Sequence, residues 1–246
     1  MNALTKIDIL LWIVVPYVSI AIFILGHIYR YNTDQFGWQA KSSQFLEQKR
    51  LRWGSTLFHY GIIFVFFGHV AGLLIPKEWF DFFGITSDMY HFGAIFFGGL
   101  AGVVTVIGGF LLFLRRATVK RIINNSSTSD YVSLVLLGIV VLVGFTATMG
   151  YTATGGTFDY RVTIGPWLRE IITFRPSEVM VLAMAQSPIG FQMHVLFAFL
   201  LFAVWPFTRL VHVFSLPLKY LQRRYIPYRN MRSPGKVELP KKNELN

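Results

Sequence analysis

Not one of the 246 residues is a cysteine. That absence excludes disulfides, iron–sulfur clusters and thiolate-ligated haem on this chain, so any metal must be held by histidine, methionine or oxygen. Charge is scarce too, at 14% of residues against 54% hydrophobic, with a mean hydropathy of +0.50. Soluble domains carry roughly a quarter charged residues, so the balance excludes one and implies an integral membrane protein. Acidic residues are the rarer sign, 12 against 23 Lys and Arg, for a net charge of +11. The basic residues are spread over loops between apolar runs and build no compact basic domain, which argues against a nucleic-acid partner. Alternating polarity is also missing. Val132 to Gly144 is almost continuously apolar, whereas a transmembrane β-strand alternates over about ten residues.

Five apolar runs are long enough to cross a bilayer core as helices, which takes about 20 residues each: 8–29, 54–75, 91–114, 131–149 and 190–211. The expected fold is an all-α, five-transmembrane-helix bundle over residues 1–213, followed by a basic tail, 214–246. Asp8 at the start of the first run, its length and the lack of a small-residue cleavage pattern favour a retained helix over a secretory signal. Alternate sides of the five spans carry 18 and 5 Lys and Arg, the poorer side holding only Lys6, Lys77, Arg161, Arg169 and Arg175. The positive-inside rule then places the N-terminus outside and the C-terminus in the cytoplasm. The external segment 150–189 contains an amphipathic stretch from Gly165 to Phe174, with Trp167 and Phe174 suited to the interface, and is expected to cap the outer end of the bundle. The tail from Lys219 to Lys242 is either a solvated positive-inside segment or a docking segment built around Tyr225-Ile-Pro-Tyr.

Ionisable groups inside a membrane are costly and point to function. Four of the six histidines fall on two spans: His59 and His69 on the second, His194 and His212 on the fifth. These spans run in opposite directions, so His59 shares a depth with His212 toward the cytoplasm and His69 with His194 toward the outside. Each pair can clamp one haem. Helical rise separates the two histidines by about 15 Å on the second span and about 27 Å on the fifth, a mismatch of about 6 Å per site for tilt and imidazole reach to absorb. A haem with two imidazole ligands has no open position, so the implied task is electron relay. Gly54, Gly61 and Gly68 form a strip every seven residues along the second span, open to a flat macrocycle or to a neighbouring backbone. Arg209, one turn before His212, and Arg50 and Arg52, before His59, stand where haem propionates need cations, or serve topology alone. His27 has no partner at its depth and is expected at the surface or a subunit contact.

At these residues the chain resembles the gamma subunit of respiratory nitrate reductase, a membrane cytochrome b. The segments that carry the likeness are Ser42-Ser-Gln, Phe58-His-Tyr-Gly with Gly68-His69, Phe96-Phe-Gly-Gly, and Pro206-Phe-Thr-Arg-Leu-Val-His212 continuing through Ser215-Leu-Pro-Leu-Lys-Tyr-Leu. The resemblance implies two b-type haems on the same histidine pairs, in the cytoplasmic membrane of a prokaryote. It implies menaquinol or ubiquinol oxidised near the outer haem, and electrons passed to an iron–sulfur beta subunit and a molybdenum alpha subunit that reduces nitrate. It also puts the quinol pocket beside the distal haem ligand and the start of the third helix, making Gly68, His69, Tyr90 and His91 the candidates. The chain departs from the family there. A lysine is the quinol-oxygen partner in family members, whereas this chain offers Tyr90 and His91, which are either quinol contacts or interfacial anchors. The rivals are a dihaem subunit of a heterodisulfide- or sulfite-type reductase and a proton-conducting transporter. Paired histidines and the absence of acidic residues deep in the spans weigh against the transporter.

Overall fold

The computed structural model describes residues 4–34, 43, 45–152 and 158–214. The basic tail and its Tyr225-Ile-Pro-Tyr segment lie outside them. Among the described residues there is no strand, and five helices are long and apolar enough to cross a membrane: Lys6–Thr33, Lys49–Leu74, Ser87–Thr118, Thr128–Gly150 and Ile189–Phe207, here spans one to five. The first four reach beyond the bounds expected from apolarity at their starts, because the polar residues there cap the helices. Thr5 and Asp8 satisfy each other's backbone N–H groups, Ser127 and Asp130 do the same, and the Thr86 side chain accepts from the Met89 N–H. The fifth span stops sooner than expected. Trp205–Phe207 tightens into a 3-10 turn containing Pro206, and Thr208 is extended at φ −121°, ψ 179°. The chain then forms a second 3-10 turn, Arg209–Val213, capped by the Thr208 side chain. His212 is therefore on a separate turn rather than on the span itself.

Successive spans run in opposite directions. The end at which span one begins is called the upper end; span one finishes at the lower end, where Arg30 donates to the Pro206 carbonyl of span five (2.8 Å) and Arg50 to Thr118 at the end of span three (2.8 Å). Spans two and three pack closest. A Cβ on Gly61 would lie 2.7 Å from the Thr105 backbone nitrogen, and one on Gly108 2.7 Å from the Phe58 Cα. Such contacts let helix backbones approach where lipid offers no hydrophobic drive to association. Gly54 likewise faces Leu111 and Leu112. Two members of the glycine strip thus serve a neighbouring helix, and only Gly68 has nothing within 4 Å.

The upper half has a second peculiarity. Each of the first four spans contains a five-residue π-helical turn there: Leu10–Val14, Val70–Leu74, Ala94–Gly98 and Thr148–Thr152. Such turns re-aim side chains and often mark functional regions. Near the first, Pro16 has no N–H to give the carbonyl four residues back, and that carbonyl, Trp12 O, accepts instead from the Trp167 indole (3.1 Å). Near the second, Leu73 O accepts from Arg169 (2.8 Å). Trp167 and Arg169 belong to the helix Ile164–Ile172, which with Glu178–Ala185 closes the upper end. Trp12, Ile164, Trp167, Ile171, Val181, Met184 and Phe199 form the core there. Trp167 is 1% exposed, so it is a core residue and not the interfacial anchor that its amphipathic helix suggested. Phe174 is the outward one, exposed and stacked on Tyr17. Along the spans, large apolar side chains such as Phe64, Phe67 and Phe97 face outward, an arrangement suited to hydrocarbon rather than water.

Candidate functional site: two histidine pairs

The structure brings the four intramembrane histidines together as two couples. The rings of His59 and His212 have centroids 5.9 Å apart and planes at 65°; those of His69 and His194 are 5.8 Å apart and inclined at 34°. Because the helix is broken at Thr208, the rise expected between His194 and His212 on a continuous fifth helix does not apply.

Every one of these rings bonds through Nδ1 to a backbone carbonyl: His59 to Ser55 (2.7 Å), His69 to Val65 (2.8 Å), His194 to Val140 of span four (3.1 Å) and His212 to Arg209 (2.7 Å). A carbonyl can only accept, so the ring proton is placed on Nδ1 and the Nε2 lone pair is left for a metal. Backbone carbonyls in this role fix tautomer and orientation for metal-binding histidines. The spacing fits as well. With about 2 Å from metal to each nitrogen and roughly 1 Å more to each ring centre, two imidazoles on opposite sides of one ion have centroids about 6 Å apart. Among the described residues no group of three or more His, Asp or Glu is gathered to hold a metal. Two ligands per site suit an ion that arrives with its other ligands in a macrocycle, as haem iron does.

The surroundings differ between the couples. Beside His59 lies an open groove of about 400 Å³ lined by Ser55, Thr56, His59, Tyr60 and Ile63. Beside His69, Gly68 leaves space, and across the pair Gly144 of span four makes room for His194, whose Cε1 would stand 2.6 Å from a Cβ at that position.

Asp130 is one residue to which the sequence gives no functional signal. Its side chain is fully buried and pairs with Arg116 of span three (Nη1–Oδ2 3.1 Å) and with Arg209 Nε. Arg209, expected at a propionate, is therefore tied to a carboxylate, and through its carbonyl it also holds His212. Arg115 is buried as well, donating to Glu47 (2.9 Å), Ser43 Oγ (3.1 Å) and two backbone carbonyls. Burial pushes the Glu47 carboxyl up, but the Arg50, Arg115 and Leu51 donors outweigh it and hold it below the usual carboxylate range. From the sequence, Arg115 and Arg116 carry a topology signal alone. His27, expected at the surface or a subunit contact, is partly buried between the Phe23 and Phe214 rings and bonds to the Phe23 carbonyl (2.6 Å).

Tyr90 and His91, on the first turn of span three, meet the loop that follows span four. Arg161 places its guanidinium 4.1 Å from the centre of the Tyr90 ring, and its Nη2 lies 3.4 Å from His91 Nε2. Asp159 grips Arg161 through both carboxylate oxygens and stands 3.8 Å from His91. Burial raises Asp159, but its bonds to Arg161 prevail and hold it below the normal carboxylate value. Burial, with Tyr90 next in effect, pushes the Tyr160 hydroxyl far above its ordinary range. The Tyr90 hydroxyl lies against Gly72, where a Cβ would be 2.8 Å from it. Sequence spacing gave no sign of Asp159 or Arg161, because only the fold carries that loop to span three.

The family model for the nitrate reductase gamma subunit matches residues 8–231. The nitrate reductase gamma chain of Bacillus subtilis is 50% identical over 220 residues, 89% of this chain and 97% of that one. The respiratory nitrate reductase 2 gamma chain of Escherichia coli is 34% identical over 92% of this chain and 98% of its own length. More distant, at 24% identity over 84% of this chain and 76% of its own length, is an Hdr-like menaquinol oxidoreductase cytochrome b-like subunit of Archaeoglobus fulgidus. With five spans that suit a bilayer and a family match over most of its length, the chain belongs to the gamma subunits of respiratory nitrate reductase, a multi-pass membrane component of an oxidoreductase complex.

Proposed function

We propose that this subunit holds two b-type haems, one between His59 and His212 and one between His69 and His194, and that it oxidises quinol beside the second. The observation that carries this reading is the shared geometry of the two pairs, each with Nδ1 spent on a carbonyl and Nε2 reserved. When bound, haem supplies a one-electron carrier at each site, which turns two isolated positions into a relay across the membrane. The upper end is the outer face in this reading, and the arginine-rich lower end faces the cytoplasm. Menaquinol or ubiquinol binds by Gly68, Tyr90 and His91. On becoming quinone it gives up two electrons and two protons. The electrons enter the protein at the His69–His194 end, and the protons leave to the outer aqueous phase past His91. A guanidinium has five donors, so Arg209 can serve Asp130 and a propionate of the lower haem together.

At the cytoplasmic face the electrons go to an iron–sulfur beta subunit and then to a molybdenum alpha subunit that reduces nitrate. The basic tail docks those subunits, and truncation after Pro217 should lower their co-purification without loss of haem; unchanged assembly would refute the docking role. A reduced-minus-oxidised visible spectrum tests the reading as a whole. His59→Ala and His212→Ala should remove one b-type component and His69→Ala and His194→Ala the other. Loss of a single component by His59→Ala and His194→Ala alike would refute it.

A further inference from the structure

Arg161 has no task in the reading above, yet it is one of the most buried charges in the molecule, at 2% exposure. Its Nε and Nη2 are held by Asp159 (3.1 and 2.9 Å), and its backbone N–H donates to the same carboxylate (2.9 Å). Nη1 is buried and has no hydrogen-bond partner among the described residues. Neither does His91 Nδ1, also buried. A guanidinium can only donate, so where Nη2 meets His91 Nε2 (3.4 Å) the imidazole accepts, and its proton sits on Nδ1. The cluster therefore presents two buried donors, and leaving such donors unpaired is costly.

The other walls are aromatic. The Tyr90 ring lies under the guanidinium, with Tyr160 beside it against Gly72. Gly72 is three residues beyond His69, and Gly68, one turn back, has open space beside it. Donors set among aromatic rings suit a flat, mostly apolar ligand with acceptor oxygens. Asp159, His91, Tyr90 and Tyr160 are the titratable groups that face Arg161.

We propose that Arg161 binds a ring oxygen of the quinone through Nη1, with Asp159 as the positioning residue that aims the guanidinium. The assignment rests on the reading that quinol is oxidised beside His69 and His194. The bond is charge-assisted and made in a buried place, so it contributes to affinity and orients the ring. Asp159 fixes the fork by gripping its other edge.

The test uses the purified complex and a short-chain naphthoquinone labelled with ¹³C at its carbonyls, followed by binding titration and difference infrared spectroscopy. Wild-type complex should bind saturably, with the labelled carbonyl band shifted down from its free frequency. Arg161→Gln should raise Kd about tenfold or more and return the band toward the free value, with both haem spectra retained. Asp159→Asn should do the same to a smaller degree. If Arg161→Gln does not assemble, Arg161→Lys keeps the charge without the fork and should still move both Kd and the band. Wild-type Kd and band in Arg161→Gln or Arg161→Lys, alongside weakened binding in His91→Ala, would overturn the assignment of Arg161 alone. Absence of saturable binding to the wild-type complex would overturn the quinol reading beneath it.

Discussion

The two histidine couples are alike in spacing and unlike in construction. At the upper end, His69 and His194 both sit on α-helix, and His194 donates its hydrogen bond to a different span, at the Val140 carbonyl, through the gap left by Gly144. At the lower end, His59 bonds within its own helix, whereas His212 belongs to a 3-10 turn that Thr208 caps and that Arg209 ties to Asp130. The upper pair is positioned by helix packing, the lower pair by a polar network that anchors a short turn. A packing change and a charge change should therefore strike different ends.

The largest effect is expected from Asp130→Ala. It leaves Arg116 without its fully buried counter-charge and takes from Arg209 the anchor of the His212 turn, and breaking a buried ion pair from one side costs about 3–5 kcal/mol. Thermal unfolding in detergent should show the drop, and the lower haem component should fade before the upper one. Equal fading of both would show that the network serves the whole bundle. Gly144→Leu comes next. The new side chain meets the His194 ring, so the upper component alone should be lost, whereas Gly138→Ala on the same span, where nothing lies within 4 Å, should change nothing. Retention of both components in Gly144→Leu would mean that His194 is not placed by packing. His91→Ala is expected to be the mildest. Stopped-flow reduction by quinol should slow about tenfold or more, in the range general acid–base groups contribute, with visible spectra and dithionite reducibility intact. Wild-type kinetics would remove His91 from the site and shift attention to Tyr90.

The spans and the pairing of histidines by depth were legible because both rest on rules local to a helix, length against bilayer thickness and periodic rise. What stayed hidden depends on contacts between distant segments. Asp130 lay one residue outside the expected fourth span and looked like a flanking residue, although the capping box with Ser127 draws it into the helix. The split of the glycine strip was undecidable without knowing that Thr105 and Leu112 face Gly61 and Gly54. The end of span five was placed at 211 because the run stays apolar past Pro206, and only the extended Thr208 shows that the helix has stopped. Arg161 counts in the sequence only as a basic residue of the poorer side and Asp159 carries no signal there, since nothing in their spacing connects them to Tyr90 and His91.

The central claim is that this chain carries two haems, each between one histidine of span two and one from the C-terminal third of the described chain. A pyridine haemochrome titration of the purified wild-type subunit measures that number directly. The account predicts close to two b-type haems per chain, falling to close to one in His212→Ala and in His194→Ala. A wild-type value near one or zero would contradict it.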